Sequence, residues 1–232
     1  MEYVQHQLSA TDHGFWPAAT GVETTIPEEW RIDGLLEARS TSLAASLDAI
    51  VRMRSTYVDE QNVFDQARGQ LTGRRGGLWW TPRDPDTRQH RTVALLQRHP
   101  SASKLAFRDF VHETLGPALR SAGAAGLRTY TLQPATKLDL IPCGGQPTPG
   151  HHNAILTIDT ASRDHLMQLF TTPLVSKFIR SQAGLLARAH AYTVTRSIEL
   201  IPEPKERDPA ERTTIASSTT QVPPPGRRSR ST

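Results

Sequence analysis

This chain of 232 residues lacks the features of a secreted or membrane-embedded protein. Its one cysteine, Cys143, has no partner for an intrachain disulfide, which favours a reducing compartment. No stretch approaches the roughly 20 apolar residues that cross a bilayer. The first residues lack the basic and then apolar layout of a signal peptide. We therefore expect a cytoplasmic protein without a membrane partner.

Nucleic-acid binding is also poorly supported. Aromatic residues make up 6% of the chain, and no predicted strand interleaves them with basic residues in the manner of a nucleic-acid interface. The net charge is +4, and part of it lies in the terminal run Arg227-Arg-Ser-Arg230. A basic, solvated surface explains this charge. We expect no nucleic-acid partner.

Motifs for metals and nucleotides are missing as well. His151 and His152 are adjacent, so on a strand they point to opposite faces, and no cysteine or acidic residue follows at a matching spacing. Residues 73–77 (GRRGG) lack both the Walker pattern and the strand-turn-helix setting of a dinucleotide site. We expect no metal and no organic cofactor. Haem stays an open alternative, because any of the nine histidines can supply its axial ligand.

Composition divides the chain into four parts. Residues 202–232 are rich in proline, serine and arginine and have little apolar surface to bury, which predicts a disordered tail. Residues 73–91, rich in glycine, proline and polar side chains, are predicted to be a linker. These segments separate a first half, residues 1–72, from a second half, residues 92–201.

The second half has the pattern of a β-α-β-β-α-β unit. Strands are predicted at 92–97, 127–133, 154–158 and 192–200, with a bulge near Arg196 in the last. The first helix is predicted to begin at the cap Ser103 and to kink or end near Pro117, and the second covers 161–181 with a break at 172–173. In the strand 127–133, alternation puts Arg128, Tyr130 and Leu132 on one face.

Two features of this half together resemble the first half of an EthD-type domain. Arg98-His-Pro100 follows the first strand, and the helix behind it has the spacing Phe107, Phe110-Val111, Gly116-Pro117. EthD-type domains are dimeric α+β barrels, in which two ferredoxin-like sheets face each other. The resemblance implies an α+β fold with such a barrel, formed by a homodimer or within one chain if the sequence is a tandem repeat.

The first half contains a partial echo of the second. Residues 3–8 resemble 129–133, and residues 32–42 resemble 152–162, in the same order and each followed by a short predicted helix, at 43–51 in the first half. Nothing in the first half corresponds to the strand and helix of 92–122. The repeat is therefore predicted to begin at its second strand. Either a start upstream of Met1 is missing, which we favour, or this incomplete half borrows packing.

The resemblance also implies an activity. Members of the barrel group bind flat, apolar, often aromatic or polyketide-like molecules and use histidine, tyrosine or aspartate side chains for proton transfer. The implied function is a cofactor-independent enzyme of lyase, isomerase or oxidoreductase type in secondary or degradative metabolism. The family pattern has a histidine before Gly116-Pro117, and this chain has Leu115. That departure supports the alternative, a non-catalytic ligand-binding or assembly module.

Two residues are the candidates for catalysis. His112 lies one turn before Leu115, roughly 60° round the helix, at the edge of its apolar stripe. It is a substitute general acid or base if it reaches the substrate, and otherwise a boundary histidine that touches solvent. Tyr130 holds a substrate carbonyl or enolate if it faces the barrel, and otherwise packs under the first helix.

Five further residues are candidates for substrate binding. Phe110 and Leu115 belong to the apolar stripe of the first helix, and His6 lies on the strand of the first half that corresponds to that of Tyr130. Asp33 is either a strand-end carboxylate or part of an ordinary Asp-Gly turn. Trp79 either closes over a ligand at the barrel mouth or anchors the predicted linker to the core.

Overall fold

The computed structural model describes residues 2–40, 66–80, 90–133, 152–199 and 213–220. In these ranges eight antiparallel strands close into a barrel, in the order β1-β2-β8-β3-β5-β6-β4-β7, and β7 pairs again with β1. The strands are β1 Glu2–His13, β2 Gly34–Ser40, β3 Gln66–Trp80, β4 His90–Arg98, β5 Gly126–Gln133, β6 Ala154–Thr160, β7 Leu186–Glu199 and β8 Thr213–Thr220.

Few helices accompany the barrel. The first is α1, Lys104–Asp109, which continues through the π-helical segment Phe110–Leu115 into α2, Gly116–Ser121. The second connection contains α3, Arg163–Thr171, and α4, Pro173–Ser181. Short 3-10 turns cover Glu28–Trp30 and Gln182–Gly184. The predicted α+β class is confirmed, as a curled antiparallel sheet with helices on its outer face. Within the described ranges, no helix is both long and apolar enough to cross a membrane.

Several local predictions are confirmed. The Ser103 side chain caps α1 by accepting a hydrogen bond from the backbone N–H of Ala106. The second helix breaks at Thr172, where α4 begins with Pro173. The register of β7 against β1 shifts next to Arg196, as a bulge would shift it. The helix predicted at 43–51 lies outside the described residues.

The sheet separates two apolar regions. Strand alternation directs Ala94 and Leu96 of β4 towards the helices, where they join the region that we call the helix layer. Val93 and Leu95, between them in sequence, point into the barrel, where they join the region that we call the barrel interior. All four are buried, which explains the continuous apolar run of β4.

The linker predicted at 73–91 is wrong at both ends. Residues 73–80 belong to β3, residues 90 and 91 open β4, and residues 81–89 lie outside the described part. One of the glycines that indicate a linker has a packing role in the strand. A Cβ atom on Gly77 would lie 3.0 Å from the ring of Tyr130, and the register against β5 shifts between Thr72 and Gly77. Close approach, rather than flexibility, explains the glycine at position 77.

The tail predicted at 202–232 also contains structure. Residues 213–220 form β8, which pairs with β2 on one side and β3 on the other. Burial of apolar side chains was the wrong criterion for this segment, because two neighbouring strands satisfy its backbone and threonine and isoleucine favour extended conformations. Residues 202–212 and 221–232 lie outside the described part.

Strand order intermingles the two halves of the sequence with the C-terminal segment. Around the barrel, β7-β4-β6-β5 is followed by β3-β8-β2-β1. The strand β8, from residues 213–220, therefore lies between β3 and β2, two strands of the first 80 residues.

Candidate functional site

A buried carboxylate lies at the centre of the barrel interior. The Glu37 side chain on β2 has 0% exposure and accepts a hydrogen bond from the Tyr130 hydroxyl at 3.2 Å. Arg128 donates to the same oxygen, also at 3.2 Å, and the Thr157 hydroxyl donates to the other at 3.1 Å. Strands from both halves of the sequence therefore meet at one side chain.

The alternation of β5 places two of these partners. Arg128, Tyr130 and Leu132, which alternation predicts on one face, point into the barrel, whereas Leu127 and Thr129 face the helix layer. Tyr130 is fully buried. Its ring forms a T-shaped pair with the ring of Trp79, and the two ring centroids are 6.2 Å apart. Trp79 thus packs inside the barrel against a predicted site residue.

His6 extends this cluster towards β7. Its Nε2 atom lies 3.5 Å from Oε1 of Glu37, and its Nδ1 atom lies 2.9 Å from the Ser197 hydroxyl. That hydroxyl also accepts from Arg91 at 3.3 Å, and Arg91 forms a bidentate pair with Asp159 at 2.6 and 3.0 Å. We call this set the interior network; its members are His6, Glu37, Arg91, Arg128, Tyr130, Thr157, Asp159 and Ser197.

The charges of the interior network balance without its histidine. Two guanidinium groups, Arg91 and Arg128, contact two carboxylates, Asp159 and Glu37. Such pairing is what makes buried charge tolerable, because an unpaired ion in a low-dielectric interior is strongly destabilising. His6 and Tyr130 are then the members that can carry a transferable proton beside a fixed carboxylate. The arrangement is chemically suited to proton transfer.

His112 lies on the other face of the sheet. It is buried in the helix layer, with Nδ1 2.7 Å from the Thr129 hydroxyl and Nε2 3.2 Å from the Thr131 hydroxyl. Burial, aided by the charge of Arg108, lowers the pKa of His112 to about 4. The alternative of a solvent-touching boundary histidine is wrong, since only 3% of the residue is exposed. His112 and Tyr130 are on opposite faces of β5 and do not meet at one bound molecule.

The π-helical segment explains why the position of His112 was misjudged. Residues 110–115 form a π-helix, so the angular step of an α-helix does not apply to them. Phe110 and Leu115 on the same segment are buried in the helix layer, at 4% and 0% exposure. These predicted substrate-binding residues therefore pack between helix and sheet, away from the interior network.

Asp33 lies at the entry to β2. Its backbone carbonyl accepts from the N–H of Leu8 at 2.8 Å, which fixes the turn before Gly34. Burial, with a smaller contribution from the Asp33 charge, raises the pKa of Tyr192 above its ordinary value. Asp33 thus serves the turn that was its simpler interpretation, and its charge acts on a barrel residue outside the interior network.

Glu37 and Arg128 were not singled out from the sequence. A signal was present for each. Glu37 is a lone charge inside the run Gly34-Leu-Leu-Glu-Ala38, and Arg128 shares its strand face with Tyr130 and Leu132. A charged residue on the apolar face of a strand is rare unless it is paired.

The Arg98-His-Pro100 motif has a structural explanation. The Arg98 guanidinium donates to the carbonyl oxygens of Ala102 and His99 and so closes the turn after β4. Arg98 and Pro100 also line an open groove of about 610 Å³. The other residues that line this groove are Gly21, Val22, Glu23, Gln97, Ala187 and Arg188, and none of them belongs to the interior network.

The low pKa of His112 has a consequence for stability. Folding lowers the pKa of His112 from 6.5 to about 4, so between these pH values the unfolded state binds a proton more readily than the native state. The native state is therefore most stable above pH 6.5 and becomes less stable as the pH falls towards 4. We expect the free energy of unfolding to drop by about 2 kcal/mol between pH 7 and pH 5 from this residue, at about 1.4 kcal/mol per pH unit. Urea titrations of wild type and His112→Gln measure it. An equal pH slope in both proteins would contradict the assignment.

Comparisons with known proteins do not assign this chain to a family. No protein-family model and no curated protein matches the chain. Among solved structures, it is similar to the Arabidopsis thaliana protein At3g17210, with a TM-score of 0.33 and 11% identity over 51% of this chain and 99% of that chain. A likeness of this size carries no argument about function.

Proposed function

We propose that this is an EthD-like small-molecule protein, a cofactor-independent enzyme of lyase, isomerase or oxidoreductase type. Its substrate is a hydrophobic aromatic or polyketide-like molecule of secondary or degradative metabolism. The observation that carries the proposal is the contact of Glu37 with Tyr130 and His6, two residues that the sequence predicts as site residues from opposite halves of the chain.

The strand order supports the finer architecture of the proposal. The runs β7-β4-β6-β5 and β3-β8-β2-β1 have the order expected of two ferredoxin-like sheets joined edge to edge. In this interpretation the dimeric-type α+β barrel closes within one chain, and β8 completes the first sheet. A second subunit is then not needed to form the barrel.

Each polar member of the site has a distinct role. The Tyr130 hydroxyl donates to Glu37 in the free protein, and on substrate binding it turns to donate to a carbonyl or enolate oxygen instead. His6, whose ring lies beside the Glu37 carboxylate, exchanges the proton as general acid or base. Arg128 pairs with the Glu37 carboxylate and holds it in place inside the barrel. The apolar walls come from the barrel interior, including Leu35, Val93, Leu95, Ile155 and Trp79.

Binding is tested by the shift in melting temperature that a panel of aromatic polyketides and aryl ethers produces. We expect wild type to be stabilised by at least one compound class, and Tyr130→Phe to bind it about tenfold more weakly, since the variant loses one hydrogen bond of roughly 1.4 kcal/mol. Tyr192→Phe is the matched control, because it removes a buried hydroxyl of the same barrel outside the interior network. Equal shifts in both variants, or none in wild type, would count against the proposal.

One observation favours the non-catalytic alternative. Leu115 replaces the family histidine, and the nearest substitute, His112, is held by Thr129 and Thr131 on the far face of β5. If the barrel only binds its ligand, the stabilisation persists but incubation gives no product. Mass spectrometry of the bound compounds after incubation without any added cofactor separates the two functions.

A further inference from the structure

Three rings form a second cluster, at the end of the barrel where β6 begins. They belong to Trp30, His152 and His190, and their centroids are 5.5 to 6.0 Å apart in T-shaped pairs. His152 precedes β6, whereas Asp159 of the interior network lies seven residues further on, about 23 Å along an extended strand. The cluster is thus distinct from the Arg91–Asp159 end of the network.

His190 is the unexplained member of this cluster. It has 0% exposure, and within the described residues neither of its ring nitrogens has a hydrogen-bond partner. Native proteins rarely bury an imidazole in this way, and an ion or ordered water is the usual reason. A neutral imidazole has a lone pair on one ring nitrogen, and this is the nitrogen that binds metals.

The spacing of the two imidazoles suits one shared ion. A metal-nitrogen bond of about 2.0–2.1 Å and a nitrogen-to-centroid distance of about 1.1 Å put two ring centroids about 5.2 Å apart at a tetrahedral metal. The observed separation of His152 and His190 is 5.5 Å. An ion needs far less room than an organic ligand, and the Trp30 ring makes T-shaped contacts with both imidazoles.

We propose that His152 and His190 bind a divalent transition-metal cation of the imidazole-preferring class, such as Zn²⁺, Ni²⁺ or Cu²⁺. Among the described residues no group of three His, Cys, Asp or Glu side chains is placed to hold a metal, so His152 and His190 are the protein ligands that these ranges supply. The neighbouring Arg188 guanidinium lies 4.0 Å from the centroid of the Trp30 ring and donates a hydrogen bond to Gln97.

Calorimetric titration of the metal-stripped, tag-free full chain with ZnCl₂ and NiCl₂ tests the site. We expect one ion per chain in wild type, and affinities at least about tenfold weaker in His190→Gln and His152→Gln, a loss of about 1.4 kcal/mol or more. His165→Gln, a histidine at the start of α3, is the matched control and should bind as wild type does. Equal affinities in all four proteins, or no binding by wild type at millimolar metal, would overturn the proposal.

X-ray absorption of the zinc-loaded wild type gives a readout that does not depend on the folding of a variant. Two imidazole ligands per zinc are expected from the outer-shell scattering. One imidazole or none would show that a bound zinc sits elsewhere and that His190 is simply an aromatic core residue.

Discussion

Truncation after residue 212 is expected to abolish cooperative unfolding. The lost segment contains β8, which is hydrogen-bonded along β2 and along β3. Roughly a dozen backbone hydrogen bonds at about 1 kcal/mol each equal the whole stability of an ordinary domain. The edges of β2 and β3 would also be left unpaired, and unpaired edges recruit other chains. Thermal unfolding and light scattering after size-exclusion chromatography measure both effects.

A chain that ends after Thr220 is the matched control, because it keeps every strand of the barrel. It should melt and elute as the full-length protein does. A second variant, Ala216→Pro, interrupts β8 without shortening the chain, at the residue that pairs with Glu37 on one side and Gln70 on the other. If truncation at 212 leaves the melting transition unchanged, β8 is not an essential strand.

The second large effect is expected for Glu37→Gln. This substitution keeps the shape of the side chain but removes the carboxylate charge that contacts the Arg128 guanidinium, of which 8% is exposed. Removing one partner of a buried ion pair costs about 3–5 kcal/mol. We expect a loss of at least about 3 kcal/mol in the free energy of unfolding, measured by urea denaturation. Glu29→Gln, on the exposed 3-10 turn, should change it by less than about 0.5 kcal/mol.

The double variant Glu37→Leu with Arg128→Met separates charge from packing. Replacing a buried pair by apolar residues of similar volume is often neutral or stabilising, so this protein should recover most of the stability lost in Glu37→Gln. Ligand binding should not recover, because the carboxylate is gone. Recovery of neither property would mean that Glu37 acts through contacts other than its pair with Arg128.

The sequence predicts the parts of this molecule that depend on local pattern. Alternation along 127–133 placed Tyr130 on the same face as Leu132, and the echo between the halves identified His6 as the residue on the corresponding strand. Alternation alone did not say which face was the barrel interior. That depends on which side the helices cover, which is a property of the whole sheet.

The failures arise where long-range contacts override composition. The β8 segment has a disordered composition, but two strand neighbours that are distant in sequence satisfy its backbone. Gly77 of β3 is explained by the close approach of the Tyr130 ring rather than by a flexible linker. The prediction that His112 lies at the edge of the apolar stripe assumes the angular step of an α-helix. Residues 110–115 are π-helical, and this changes the angular position of each residue from Phe110 onward.

These placements make the two faces of β5 alternative sites for the chemistry. Tyr130 lies in the barrel interior, in the cluster of Glu37 and His6. His112 lies in the helix layer, where it contacts Thr129 and Thr131. The sheet between them is continuous, so one small molecule does not contact both. A pair of substitutions can therefore decide between the faces.

The most direct test is the rate of product formation by Tyr130→Phe and by His112→Ala, with the panel compound that stabilises wild type most and without added cofactor. We expect Tyr130→Phe to lose on the order of 10²-fold in kcat, as removal of an oxyanion donor does, and His112→Ala to keep a rate within about threefold of wild type. The reverse pattern, a slow His112→Ala and an active Tyr130→Phe, would contradict the account and place the reaction between the helices and the sheet.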